Sequence, residues 1–144
     1  TVSATGGPVE PMPMPEAGSG DLSPDGSKIA YSPQFRDFRP EKRYAGGQAN
    51  TLYIYDLSSN DARKISDNPF ANRDPMWIGN SIYYTSDKDG KFNLYAYNTS
   101  TSKNEQVTKF RDWDIRWPGS DGDKRIVWEK GRSFPPVEIS LRYR

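Results

Sequence analysis

The 144-residue chain reads as all-β, and three features of its sequence say so. Short aromatic and β-branched runs alternate with turn clusters, and no window places apolar residues at helical spacing. Strand-like segments recur at a nearly constant interval: Leu52-Tyr53-Ile54-Tyr55-Asp56 returns as Leu94-Tyr95-Ala96-Tyr97-Asn98, and Ile65 as Val107, both 42 residues on. The run Leu52–Tyr55 is apolar or aromatic on both faces, whereas a sheet with one wet face alternates. A period of about 40–45 residues with four short strands is the mark of a β-propeller blade. Strands dry on both faces suit blades stacked radially between two neighbours. A β-sandwich core strand shares that last feature and is the competing architecture. The expected fold is therefore all-β: a propeller fragment of about three blades of four-stranded antiparallel sheets, the last incomplete.

The expected strands are Gly20–Ser23, Lys28–Ser32, Thr51–Leu57, Ala62–Ser66, Pro75–Ile78, Ser81–Ser86, Asn93–Tyr97, Glu105–Phe110, Asp114–Trp117 and Arg125–Glu129. Between them lie Pro24-Asp25-Gly26, Gly79-Asn80, Asp87-Lys88-Asp89-Gly90 and Gly119-Ser120-Asp121-Gly122. Each joins Gly to Asp, Asn or Ser, residues that reach left-handed backbone angles or hydrogen-bond their own turn. Ile29-Ala30-Tyr31-Ser32 recurs as Ile82-Tyr83-Tyr84-Thr85 and again as Ile126-Val127-Trp128-Glu129. The first of these intervals is the longer because residues 34–50 are inserted between two strands. Residues 1–19 then end a preceding blade, 20–68 form a first blade carrying the insertion, 69–111 a second, and 112–144 a partial third with an atypical tail. In that tail Pro135 and Pro136 remove two ladder donors, so an ordinary inner strand is not expected there.

Leu, Ile, Val and Phe make up only 24 of the 144 residues. Fewer than about 20 % signals disorder when net charge is also high, but here 20 basic residues nearly cancel 19 acidic ones. Nine Tyr, six Phe and four Trp supply the missing apolar area, so the chain folds. A formal charge of +1 gives no field to gather nucleic acid or an anionic membrane surface. No stretch approaches the roughly 20 apolar residues of a spanning helix. No secretory signal opens the sequence, and a start at Thr1-Val2-Ser3 without Met points to an upstream part that has been removed. With no Cys there are no disulfides or thiolate metal sites, and with no His the commonest general base and metal ligand are missing. Neither a catalytic residue, a metal nor a cofactor is expected.

Several motifs reduce to structure. Asp87-Lys88-Asp89-Gly90 lacks the Gly and Glu positions of an EF-hand and reads as a hairpin turn. Asp112, Asp114, Asp121 and Asp123 sit in loops beside Arg111, Arg116 and Lys124, as solvated turn residues do. Gly6-Gly7 and Gly46-Gly47 lack the spacing of a phosphate loop. Asn98-Thr99-Ser100 matches a glycosylation sequon where a turn is expected. Trp77, Trp117 and Trp128 are expected to fill space between blades. The insertion 34–50 is the richest stretch: Arg36, Arg39, Lys42 and Arg43 surround Phe35, Phe38 and Tyr44. It could line a propeller mouth and hold peptide carboxylates through bidentate contacts. Equally, Asp37 and Glu41 could neutralise its cations while the aromatics clip it to the blade.

The run Ser23-Pro24-Asp25-Gly26-Ser27-Lys28-Ile29-Ala30-Tyr31 resembles a strand-pair motif of WD-repeat-like propellers, found in the periplasmic Tol translocation protein, prolyl and dipeptidyl peptidases and tricorn protease. The surrounding residues narrow the likeness. Ala4-Thr5-Gly6-Gly7 with Pro11-Met12-Pro13, the inserted Phe35–Arg39 and Lys42–Gly47, and Asn72–Trp77 with Ile82–Gly90 are similar to the N-terminal six-bladed propeller of tricorn-like serine proteases. The resemblance runs from about Val2 to Gly131. It implies a much longer parent hydrolase, in which a second, seven-bladed propeller, a PDZ-like domain and a protease core with the catalytic residues follow. On that footing this chain is a non-catalytic propeller segment, part of a channel or scaffold that guides peptides. The alternative is a stand-alone protein-interaction module. The implied partners are peptides or a protein, and a second copy could complete a ring. The implied compartment is the cytoplasm, with the periplasm as alternative.

Overall fold

The computed structural model describes residues 1–14, 16–34 and 42–129, together with Lys130 and Val137–Ser140 as backbone. The described residues form eleven strands. Strands β1 (Ser19–Leu22), β2 (Lys28–Ser32), β3 (Tyr53–Asp56) and β4 (Ala62–Lys64) make one sheet in chain order. Strands β5 (Asn72–Ile78), β6 (Ser81–Ser86), β7 (Asn93–Asn98) and β8 (Lys103–Gln106) make a second. Strands β9 (Ile115–Ser120), β10 (Arg125–Lys130) and β11 (Val137–Ser140) make a third, with β10 central. Every pairing is antiparallel. The chain is an all-β propeller fragment.

The repeat is visible in the turns that create the strands. Asp56 Oδ1 accepts the backbone N–H of Ser58 and Ser59, and Asn60 N donates to Asp56 O at 2.9 Å. Forty-two residues on, Asn98 Oδ1 accepts from Ser100 and Thr101, and Ser102 N donates to Asn98 O at 2.9 Å. Asn60 and Ser102 both have left-handed backbone, with φ 60° and 56°. The sequence exchanges Asp for Asn here because either side chain can accept two backbone donors.

Burial falls into two clusters, one on each side of the second sheet. Ala30 and Ile54 of the first sheet, with Leu52 and Ile65 beside its strands, meet Trp77, Ile82, Tyr84, Tyr95 and Tyr97. Met76, Ile78, Tyr83, Leu94 and Ala96 meet Ile115, Ile126 and Trp128 of the third. On β6, Ile82 and Tyr84 point one way and Tyr83 the other, as the period of two requires. A sandwich has one core between two sheets; a middle sheet flanked by two cores is radial stacking. The outer flanks differ. On the first sheet, Tyr31 lies against Tyr53 and Tyr55 with ring centroids 5.7 and 6.4 Å away. Tyr55 donates its hydroxyl to the carbonyl of Pro13 at 2.8 Å, so the N-terminal segment reaches over this face. On the third sheet Val127 is 42 % exposed, beside a hollow of about 330 Å³ lined by Gly119, Ser120, Asp121 and Arg125.

Four expectations need correction. Strand β8 spans Lys103–Gln106 rather than Glu105–Phe110, because Thr108 and Phe110 are drawn into a loop network on Asn93. Strand β5 starts at Asn72, ahead of Pro75: the ladder shifts between Arg73 and Met76, and this bulge takes up the proline. Trp117 does not fill space between blades; it is 52 % exposed, at a second such shift between Val127 and Glu129 of β10. Finally, the tail does add a strand beside β10, with Trp128 opposite Val137 and Arg125 opposite Ser140. Both prolines precede the paired segment, so they take no donor from it.

Candidate functional site at the loop end of the blades

In an antiparallel meander, the second-to-third strand connection and the link to the next blade emerge at the same end. Residues 33–34, 42–52, 65–71, 87–92 and 107–114 therefore share one end of the fragment. Two aspartates hold them together. Asp87, buried at the end of β6, accepts the backbone N–H of Ala71 at 3.2 Å and of Arg43 at 2.6 Å. Asp114, leading into β9, accepts the Phe92 N–H at 3.0 Å and pairs with the Lys42 ammonium. Burial pushes the Asp114 carboxyl up, but the Lys42 hydrogen bond and the Phe92 N–H outweigh it, and its pKa ends below the ordinary value.

Aromatic faces seat the cations. The Phe92 ring meets two cations, the Lys42 ammonium 4.6 Å from its centroid and the Arg73 guanidinium 3.8 Å away. The Arg43 guanidinium lies 4.8 Å over Phe70. Such contacts contribute roughly 0.5–2 kcal/mol each, the more so when desolvated. Arg43 itself has φ 54°, a left-handed turn that lets its N–H reach Asp87. Of the four cations singled out in the insertion, the structure brings Lys42 and Arg43 onto the second and third sheets. Arg36 and Arg39, like Asp37 and Glu41, lie outside the described residues. The sequence marked the cations and missed their seats; a buried Asp in a turn and a Phe after a Gly-Lys pair carry no signature of that role.

The innermost strands gather along one side. Strands β1 and β2 pack against β5, and β5 against β9. Trp77 N donates to Asp21 Oδ2 at 2.8 Å, joining β5 to β1. At the opposite, outer edge Tyr84 donates to Asn104 at 2.8 Å, and Asn104 donates to the Ile65 carbonyl of the first blade at 3.2 Å. The loop acids do not gather: Asp121 sits in the β9–β10 turn, accepting from Asp123, Lys124 and Arg125, while Asp114 is engaged by Lys42. Among the described residues, no group of three acidic side chains could hold a metal ion.

Comparison with known proteins agrees with this geometry. The family model of the tricorn protease N-terminal β-propeller domain matches residues 1–139, eight residues beyond the point where the resemblance read from the sequence stops. The tricorn protease of Thermoplasma acidophilum is 30 % identical over 65 % of this chain and 8 % of its own length. Tricorn protease homolog 1 of Streptomyces coelicolor is 26 % identical over 88 % of this chain and 12 % of its own. The chain thus spans only a small part of these relatives. Among solved structures, tricorn protease superposes with a TM-score of 0.73 at 25 % identity, over 86 % of this chain and 12 % of that one. TolB from Acinetobacter baumannii shares the fold with a TM-score of 0.65 at 18 % identity, over 86 % of this chain and 30 % of that one. The chain belongs to the family of tricorn protease N-terminal β-propeller domains.

Proposed function

We propose that this chain is a non-catalytic wall segment of a propeller channel that guides peptides to or from a peptidase. The observation that carries the reading is the insertion: it is anchored by Lys42 and Arg43 across the second and third sheets at one end of the blades. Residues 35–41, with Arg36 and Arg39, run between that anchor and β2. In this reading Lys42 and Arg43 hold the loop, and Arg36 and Arg39 meet the carboxylates of a passing peptide.

The double variant Arg36→Ala/Arg39→Ala separates these roles. It is expected to weaken binding of an acidic oligopeptide, measured by calorimetry, by about tenfold while the circular dichroism stays unchanged. Binding that survives the double substitution would remove these two residues from the function. The chain alone is expected to cleave no peptide in a mixed-oligopeptide assay.

A further inference from the structure

Stacked repeats touch their immediate neighbours, so each unit is held by the seam it shares with the one before. The insertion of the first blade reaches further. Asp114, on the way into β9, accepts the Phe92 N–H of the second blade at 3.0 Å and pairs with the Lys42 ammonium of the first. Three successive blades therefore meet at one carboxylate. Lys42 and Asp114 lie 72 residues apart in the chain, and the ammonium rests on the Phe92 ring between them, 4.6 Å from its centroid.

The two anchors of residues 42–50 differ in kind. Arg43 donates its N–H to Asp87, a buried carboxylate, from a left-handed backbone of φ 54° that a long side chain keeps only where its surroundings impose it. That anchor is fixed. The Lys42–Asp114 pair is the open one: the lysine side chain is 36 % exposed, and water competes for both charges. Between the anchors and β3 the segment is short and bonded to itself. Ala49 N donates to Gly46 O at 2.9 Å, and Tyr44 lies so close over Gly46 that a Cβ there would fall 2.0 Å from its hydroxyl. The third sheet, for its part, packs through Ile115, Ile126 and Trp128 on one side, while Val127 on the other is half exposed. A sheet held at one seam can tilt about it. We propose that residues 42–50 are a strap fixed to the second blade through Arg43 and Asp87, and that Lys42 and Asp114 are its latch, which opens and closes to set the tilt of the third blade against the first. With the latch open, the Phe92 N–H still holds Asp114 and the third blade swings on its apolar core. The latch thus sets the opening of the wall at its loop end. It needs no peptide, so it stands or falls apart from the channel reading.

The chain has no Cys, so a pair of spin labels can be placed without background. Lys64→Cys on β4 and Lys124→Cys in the β9–β10 turn, both exposed, put one label on the first blade and one on the third. Pulsed dipolar spectroscopy then reads the distance between them in the full chain. Lys42→Ala and Asp114→Asn each open the latch, and Asn keeps an acceptor for the Phe92 N–H. Either is expected to raise the share of displaced distances about fivefold over the unsubstituted latch, the factor by which loss of one such contact shifts a two-state balance. The double variant is expected to add nothing to either single one, and Lys42→Arg, which keeps the charge and its seat on Phe92, to restore the native distribution. Circular dichroism is expected to stay unchanged throughout. A distribution that neither single variant moves overturns the proposal. So does a shift in Asp114→Asn that Lys42→Ala fails to reproduce, or a double variant in which the effects add, since the two side chains then act apart. Loss of the native circular dichroism in either single variant overturns it as well, because the pair is then part of the fold and not a latch.

Discussion

Asp87 shows how one side chain can organise several segments. Buried between the insertion and the link into β5, it satisfies two backbone N–H groups from distant parts of the chain. Asp87→Ala leaves both donors without an acceptor, each worth about 1–3 kcal/mol when buried. The variant is expected to lose about 2–4 kcal/mol by urea unfolding at unchanged slope. Buried amides make the opposite comparison. Asn93 accepts from Thr108 and Phe110 and donates to the Phe110 carbonyl, at 2.7–3.0 Å. Asn50, equally buried, has no partner for its side-chain oxygen or nitrogen, and the position 42 residues on is Phe92. Asn93→Leu is therefore expected to cost about 1–3 kcal/mol, and Asn50→Leu to leave the urea midpoint unchanged or raised.

At the scale of the element, strands here are short and turns define their register. Three turn carboxylates do this work. Hydrogen bonds from the Ser23 hydroxyl, then the Ser27 N–H and hydroxyl, hold the Asp25 pKa down to about 2 from 3.8. The Lys28 ammonium and the Ser58 hydroxyl lower Asp56, and the N–H groups of Arg125, Lys124 and Asp123 lower Asp121. The sign follows from which form is bonded. A carboxylate with a depressed folded pKa contributes fully above its unfolded value of 3.8 and loses that contribution as pH falls through the folded value, about 2 for Asp25. Stability is thus expected to decline between about pH 4 and pH 2, and Asp25→Asn to flatten part of that decline in a urea-midpoint titration. A decline set instead near neutral pH would point away from the turns.

At the scale of the whole molecule, two apolar cores among the described residues join the three sheets. Trp77 in the first core and Trp128 in the second are the large side chains at these seams. Trp128→Ala is expected to cost about 3–5 kcal/mol and to release the third sheet ahead of the other two, visible as an early phase in thermal unfolding. The flanks predict association behaviour. The first sheet keeps Tyr31 and Tyr55 buried, with the N-terminal segment bonded to Tyr55. Removing residues 1–14 is expected to expose that tyrosine face and shift the sedimentation profile toward larger species. A clean monomer at high concentration would show that the segment is not what keeps this face covered.

By itself the sequence determined the all-β class, the repeat, the turns and the family, because each rests on local chemistry: a side-chain acceptor two or three residues from its donor, or an apolar period of two, reads the same in the chain as in space. It also marked Lys42 and Arg43 as unusual. Only the tertiary structure decided that Asp87, Asp114 and Phe92 seat them, across 44–72 residues of separation, and that the strand beside β10 begins after the tail prolines. It alone moved Trp117 from the core to the surface. A bulge is a property of two strands in register, and one residue of slip changes which side of the sheet a side chain meets.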